Sequence, residues 1–168
     1  MMWTVYEPSF THDILLERWF FEMVDGAEFA TTFASGEPCL SNFLLTFRSH
    51  TLWFELDEAG IMTAAWWGKL GDAVVLSYWI APRARKRPSN VKRFADLCRQ
   101  LLTREPLIIG ITCQENLLDI HRRLGYTIVG KLPGLWRGCG AWLMTLTEQG
   151  LIQGLGARRS RRREVTHG

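Results

Sequence analysis

The chain is short of several things that would place it at once. No apolar run approaches the ~20 residues that a bilayer-spanning helix needs, and the opening MMWTVYEPSF lacks a basic segment followed by an apolar one. A membrane span and a secretory signal are therefore not expected, and the chain reads as soluble and cytoplasmic. The four cysteines, Cys39, Cys98, Cys113 and Cys139, are scattered without a CxxC pair or a zinc-type Cys/His spacing, so reduced thiols and no metal are expected. The strings GxSxG, HExxH, GxxxxGK[ST] and GxGxxG are all absent, which leaves hydrolase, zinc-protease, P-loop and Rossmann readings without support.

What is present suits one substantial core. The chain has 168 residues, 47% of them apolar, including eight Trp and nine Phe that either fill that core or line a groove or interface. The formal charge of +3 is uneven. Residues 158–168 hold five Arg and one Glu, a local +4 that leaves −1 for residues 1–157. Residues 1–150 read as a single domain and residues 151–168 as an Arg-rich flexible tail. Clustered Arg in that tail would contact nucleic acid non-specifically, or a protein, or simply aid solubility.

Periodicity gives the order of elements. Trp3 to Tyr6 is β-prone, and Pro8 stops it. Thr11 or Asp13 is placed to cap a helix through Leu15, Trp19 and Met23 that stops at Gly26, and a second short helix fits Ala27 to Phe33. Phe43 to Phe47, Leu52 to Leu56, Ile61 to Trp67 and Ala73 to Ile80 alternate or run apolar between turn-like separators, which predicts an antiparallel meander. A basic turn, Arg83 to Arg87, then leads into a helix starting near Pro88, with Val91, Phe94, Leu97, Cys98, Leu101 and Leu102 as one stripe ending before Pro106. Leu107 to Thr112 reads as a buried parallel strand. A helix from Asn116 to Leu124 carries Leu117, Ile120 and Leu124 on one side. Strands Tyr126 to Lys131 and Ala141 to Thr147 flank a Pro133-Gly134 loop. The sum is an α+β domain with a mixed, mostly antiparallel sheet of about seven strands, flanked by about four helices.

Two stretches carry a family resemblance. Ile80-Ala81-Pro82-Arg83-Ala84-Arg85-Lys86-Arg87-Pro88-Ser89-Asn90 resembles the strand end and Arg/Gln-x-x-Gly-x-Gly/Ala phosphate loop of the GCN5-related N-acetyltransferases, and His121-Arg122-Arg123-Leu124-Gly125-Tyr126 resembles their Tyr-x-x-x-Gly-Phe. The resemblance implies that fold, an acetyl-CoA co-substrate and an amine acceptor. It places cofactor contacts at Trp79, Ile80, Arg85, Lys86, Arg87, Ser89, Asn90 and Gln114, and a proton-donating residue at His121. Trp19, Phe20, Phe29 and Phe33 would shape the amine pocket.

The sequence also departs from that pattern. Pro88 and Asn90 stand where the family has small residues, and Pro88 removes a backbone donor. Strands Ala73 to Ile80 and Ile61 to Trp67 contain no carboxylate, while Glu55, Asp57 and Glu58 read as solvent-face and turn residues, so no general base is assigned. His121 reads either as a proton relay or as an ordinary residue at a helix end, and the basic turn either as a phosphate loop or as a solvated surface. Two functions stay open: an acetyl-CoA-dependent N-acetyltransferase, or a catalytically inactive binding or assembly module of that fold. Compact members with a degenerate loop resemble those encoded by tailed phages, where a place in the virion would follow. A homo-oligomer is compatible with either.

Overall fold

Ser9 starts the first long helix, because its extended backbone lets its side-chain oxygen accept the His12 N–H, the arrangement an N-cap requires. The residues described by the computed structural model are 3–33, 37–136 and 139–165. They comprise strand β1 (Thr4–Val5), helices α1 (Phe10–Asp25), α2 (Phe29–Thr32) and α3 (Leu40–Ser49), and strands β2 (Thr51–Asp57), β3 (Gly60–Leu70) and β4 (Ala73–Ile80). A 3₁₀ turn (Pro82–Ala84) precedes α4 (Ser89–Leu102) and β5 (Leu107–Thr112). A second 3₁₀ turn (Glu115–Leu117) precedes α5 (Leu118–Arg123), β6 (Thr127–Trp136), β7 (Cys139–Leu146) and α6 (Glu148–Val165). The strands form one mixed sheet of order β1-β2-β3-β4-β5-β7-β6. In it β4 and β5 run parallel, whereas β1/β2, β2/β3, β5/β7 and β6/β7 are antiparallel. This is the expected α+β architecture, with six helices rather than about four.

The chain divides into two compact units, residues 1–68 with 76–87, and residues 69–75 with 88–168. The first is built on an aromatic core. Leu16, Trp19, Phe20 and Met23 recur at helical steps on the buried face of α1, and meet Phe43 and Phe47 of α3 together with Phe54, Trp66 and Trp79 of the sheet. Trp19 sits at its centre, with ring centroids of Phe43, Phe47, Trp66 and Trp79 between 5.3 and 5.8 Å away. Burying each large ring contributes on the order of 2 kcal/mol. The aromatics expected to shape an amine pocket are thus mostly structural: Trp19, Phe20 and Phe29 are buried, and Phe33 stacks on Trp66.

One element has the wrong type in the sequence reading. Phe43 to Phe47 is not a strand but the middle of α3. The alternation Phe43, Leu45, Phe47 imitates a strand, but Leu40, Phe43, Leu44 and Phe47 also recur at steps of three and four. The helical face wins because it places Phe43 and Phe47 in the core and leaves Leu45 outside. The cap of α1 is likewise Ser9 rather than Thr11 or Asp13.

In the second unit, Ala73, Val74 and Val75 pair in parallel with Leu107, Ile108 and Ile109. Along α4 the residues Phe94, Leu97, Cys98, Leu101 and Leu102 are buried. The helix closes at Leu102, ahead of Pro106, with the Thr103 N–H on the Arg99 carbonyl. The inward residues of α5 differ from expectation: Leu118 and Leu124 are buried and Ile120 is exposed, because the first turn is 3₁₀ and shifts the phase of the face. Pro133 and Gly134 lie within β6, at an irregularity between Leu132 and Trp136, rather than in a loop between strands. Residues 151–157, expected to begin a flexible tail, continue α6. Leu151 is buried, and Gly150 and Gly154 lie against the backbone of Leu124 and Gly125. Residues 166–168 of the expected tail lie outside the described residues.

Candidate functional site

Tight backbone hydrogen bonds shape the basic turn. The Ala81 N–H donates to the Met62 carbonyl at 2.9 Å, the Ala84 N–H to Ala81 at 2.8 Å and the Arg87 N–H to Ala84 at 3.1 Å. Ala84 is fully buried beneath the turn, so the long basic side chains on either side must leave it outward.

Arg83 leaves toward carboxylates. Its Nε and Nη2 donate to the two oxygens of Asp57 at 3.1 and 3.0 Å, its Nη1 to Glu22 at 2.6 Å and its Nη2 also to the Ile61 carbonyl at 3.0 Å. A planar guanidinium matched to a carboxylate in this way is the strong, bidentate form of the ion pair. The hydrogen bond from Arg83 holds the Asp57 carboxyl below its ordinary range, and the bond to Asp57 in turn raises Arg83. Arg83 therefore joins α1, the β2–β3 turn and the basic turn. No sequence spacing revealed this, because the partners lie 26 and 61 residues away.

Arg85 is also occupied. Its Nε donates to the Ile80 carbonyl at 3.1 Å and its Nη2 pairs with Glu28, whose other oxygen accepts the Trp79 indole N–H at 3.0 Å. Glu28, which carried no signal in the sequence, thus ties Trp79 to Arg85, and Arg85 in turn holds the Ile80 carbonyl. Trp79 is buried against Trp19, so its ring belongs to the core. Lys86, Arg87 and Ser89 are exposed, with an Arg87 Nη1 lying 2.7 Å from the Met62 sulfur. Pro88 takes helical dihedrals at the N-cap of α4, where it can neither cap with a side chain nor donate an N–H. Asn90, one residue into α4, is buried.

In the second unit His121 and Gln114 are placed by different devices. The Gln114 N–H donates to the Thr112 hydroxyl at 3.1 Å as the chain leaves β5. The His121 Nδ1 lies 2.8 Å from the Leu117 carbonyl oxygen. A carbonyl only accepts, so Nδ1 carries the proton and Nε2 presents a lone pair. The ring stands edge-on to Tyr126 at 5.1 Å and to Phe94 at 6.1 Å, and burial among such neighbours lowers its pKa from 6.5. A neutral imidazole with its only proton on a backbone carbonyl is an acceptor at Nε2, not a ready proton donor. Behind it the Tyr126 hydroxyl lies 3.7 Å from the Cys98 thiol. Burial raises both groups, Cys98 to about 12, so neither ionises near neutrality.

Two further features escaped the sequence. Glu55 is 3% exposed rather than solvent-facing, and its Oε2 accepts the Thr63 hydroxyl across the β2–β3 ladder at 2.9 Å. The local register shift between Glu55 and Leu56 sets its direction, a bulge that alternation cannot reveal. A groove of about 460 Å³ runs along the C-terminal half of α1 beside the β2–β3 turn, lined by Arg18, Phe21, Glu22, Asp25, Gly60 and Arg83 among others. Among the described residues no three His, Cys, Asp or Glu side chains converge as a metal site, and no helix is long and apolar enough to cross a membrane.

No family model matches the sequence, and no curated relative matches it. Solved structures do. Ribosomal-protein-alanine N-acetyltransferase from Brucella melitensis superposes with a TM-score of 0.65 at 15% identity, over 86% of this chain and 99% of that one. Spermidine N-acetyltransferase from Vibrio cholerae, in complex with CoA and spermine, gives 0.66 at 10% identity over 89% and 98%. The chain has the fold of the GCN5-related N-acetyltransferases. An aminoglycoside 6'-N-acetyltransferase complexed with coenzyme A shares that fold at a TM-score of 0.63 and 13% identity, over 88% of this chain and 97% of that one. Identities this low carry architecture alone, and the chemistry must be argued from this chain's own residues.

Proposed function

We propose that this chain is an acetyl-CoA-dependent N-acetyltransferase acting on an amine. The observation that carries the reading is the basic turn entering α4: Lys86, Arg87 and Ser89 are exposed at the start of a 14-residue helix whose dipole favours an anion there. Within that reading Lys86 and Arg87 meet the pyrophosphate as charges and Ser89 as a hydroxyl donor, offsetting the N–H that Pro88 lacks. Arg85 acts differently from the family pattern. Held by Glu28 and the Ile80 carbonyl, it fixes the turn rather than contacting phosphate. Gln114 and Asn90 belong to the backbone frame around the helix starts.

Acetyl-CoA supplies the thioester that the amine attacks. The residues of this chain contribute position more than acid–base chemistry, and orientation alone can supply a large part of such an acceleration. His121 forms a neutral wall whose Nε2 accepts a hydrogen bond. As the new amide bond forms and the thioester C–S bond breaks, the acceptor amine would give its proton to solvent and the released CoA thiolate would take one from solvent, because β4 carries no carboxylate. The inactive assembly module, and with it a virion location, has no residue arrangement in its favour.

Calorimetric titration with acetyl-CoA tests the reading. Micromolar binding is expected, weakened at least tenfold by Lys86→Glu combined with Arg87→Glu, and strengthened by Pro88→Gly. No binding by the native chain, with recovery in Pro88→Gly, would overturn it and identify a fold whose cofactor site has been abandoned.

A further inference from the structure

The end of α1 is built on a strained residue. Two backbone bonds wrap it, from the Ala27 N–H to the Val24 carbonyl at 3.0 Å and from the Glu28 N–H to the Met23 carbonyl at 2.8 Å. These are the paired bonds of a Schellman turn, which asks for a left-handed residue, ordinarily glycine, at the position of Ala27. Gly26 stands one residue too early, with φ −78°, and Ala27 takes φ +55° in its place. Among the described residues Ala27 is the only non-glycine with positive φ. A Cβ is disfavoured there, and such strain persists where surrounding contacts over-determine it.

Those contacts belong to the next residue. The Glu28 side chain is 16% exposed, and its two oxygens serve two different donors. Oε2 accepts the indole N–H of buried Trp79 at 3.0 Å, and Oε1 pairs with the Arg85 Nη2. Moving the left-handed residue to Gly26 would close the turn one residue earlier and shift Glu28 relative to both donors. Arg85 in turn holds the Ile80 carbonyl at 3.1 Å, and Arg83 is tied to Glu22 at 2.6 Å. The basic turn is thus fastened to the end of α1 at two points, all within the first unit.

We infer that Glu28 is a positioning residue for the cofactor turn, holding Arg85 and the end of β4 so that Lys86 and Arg87 are presented to the pyrophosphate of acetyl-CoA. The inference rests on the acetyltransferase reading above. Its sign separates it from simple electrostatics. Removing the Glu28 charge makes the turn more positive, which by Coulomb attraction alone favours an anionic ligand. Positioning predicts the reverse, because the order that the Glu28 contacts provide must then be supplied on binding.

Calorimetric titration with acetyl-CoA, and amide hydrogen exchange on the unliganded chain, test this with Glu28→Gln, Arg85→Gln and the double variant. Glu28→Gln keeps an acceptor for Trp79, and Arg85 is half-exposed, so the variants are expected to fold. Each single variant weakens binding about fivefold or more, and the double variant binds no more weakly than the worse single, because both remove one linkage. In steady state the KM for acetyl-CoA rises while kcat stays within about twofold. Exchange at the hydrogen-bonded Ala84 and Arg87 N–H groups quickens about tenfold in Glu28→Gln while the β2–β3 ladder keeps its native rates, which a general loss of stability would not do. Native or tighter binding by Glu28→Gln overturns the inference. So do single losses that multiply in full in the double variant, and so does unchanged exchange at Ala84 and Arg87. A native chain that binds no acetyl-CoA overturns the acetyltransferase reading and this use of the turn with it, whereas native binding with an indifferent Glu28→Gln overturns the inference alone.

Discussion

The Nδ1 proton of His121 is spent on the Leu117 carbonyl oxygen, 2.8 Å away and four residues earlier in the chain. That single bond decides the tautomer, and the tautomer decides the chemistry. To donate from Nε2 the ring would first have to take up a second proton, which its desolvated surroundings oppose.

The consequence for pH is directional. Because the pKa of His121 in the folded chain lies below its unfolded value of 6.5, the unfolded chain binds more protons just below that value. Stability is therefore full above about pH 6.5 and declines as the pH falls through the folded pKa. Thermal melts between pH 7.5 and 5 on the native chain and His121→Gln are expected to show a shallower acid decline in the variant. An NMR titration of the ring should give a midpoint below 6.5, and a midpoint above it would refute the assigned environment.

The proposed acetyl transfer offers a separate check on the same residue. If His121 is a neutral wall rather than an acid, His121→Gln, which keeps polar groups near the position, retains kcat within about threefold, well short of the 10²–10⁴-fold typical of a lost acid. The pH dependence of kcat should keep its shape in that variant.

Gly125 and Gly134 separate two effects that glycine usually mixes. Both have positive φ, +95° and +70°, which disfavours a side chain. At Gly134 a Cβ would meet nothing within 4 Å, whereas at Gly125 it would lie 1.9 Å from the Gly150 carbonyl oxygen. Gly134→Ala is expected to cost about 1 kcal/mol through backbone strain alone. Gly125→Ala should cost about 4 kcal/mol or more, because α6 must move away. Urea unfolding of the two variants compares them directly.

Elements whose apolar period is unambiguous were readable in advance, and those that satisfy two periods were not. The α4 stripe of Phe94, Leu97, Cys98 and Leu101 fits only a helix and was placed to within a few residues. Phe43 and Phe47 fit both periods, and only the presence of Trp19 as a helix-packing partner decides between them. The basic turn was legible as a charge cluster, but which arginines are held inward was not. Arg83 and Arg85 differ from Lys86 only in the carboxylates that distant chain segments bring to them. Glu28 and Glu55 carry no local signal at all, since a glutamate followed by apolar neighbours is ordinary on any surface.

Removing the Arg83 guanidinium should loosen the turn it anchors. Arg83→Met leaves the carboxylates of Glu22 and Asp57 near each other without their shared partner, and the Ile61 carbonyl without this donor. The groups are partly exposed, so the loss is modest, about 1 kcal/mol. Asp57 is held below its ordinary pKa of 3.8, so its share of stability is present above that pH and lost as the pH falls through the folded value. Chemical unfolding at pH 7 and pH 3 should show the Arg83→Met penalty at the first and a smaller one at the second.

Thr63 and Glu55 distinguish a structural carboxylate from a chemical one. Glu55 is buried on β2 and takes the Thr63 hydroxyl at 2.9 Å. Thr63→Val keeps the shape of the side chain but removes that donor, so a buried acceptor loses a partner at a cost of about 1–3 kcal/mol. Thr63→Ser restores the hydroxyl and should recover most of the loss. Glu55→Gln retains an acceptor for Thr63 while removing the charge, so the hydrogen bond survives. If Glu55 serves only the sheet, its glutamine variant retains kcat/KM at every pH, and the Thr63→Val penalty in chemical unfolding is similar in the native and Glu55→Gln backgrounds. A drop in kcat/KM of a hundredfold or more in Glu55→Gln, with stability unchanged, would instead make it the base that the sequence did not reveal.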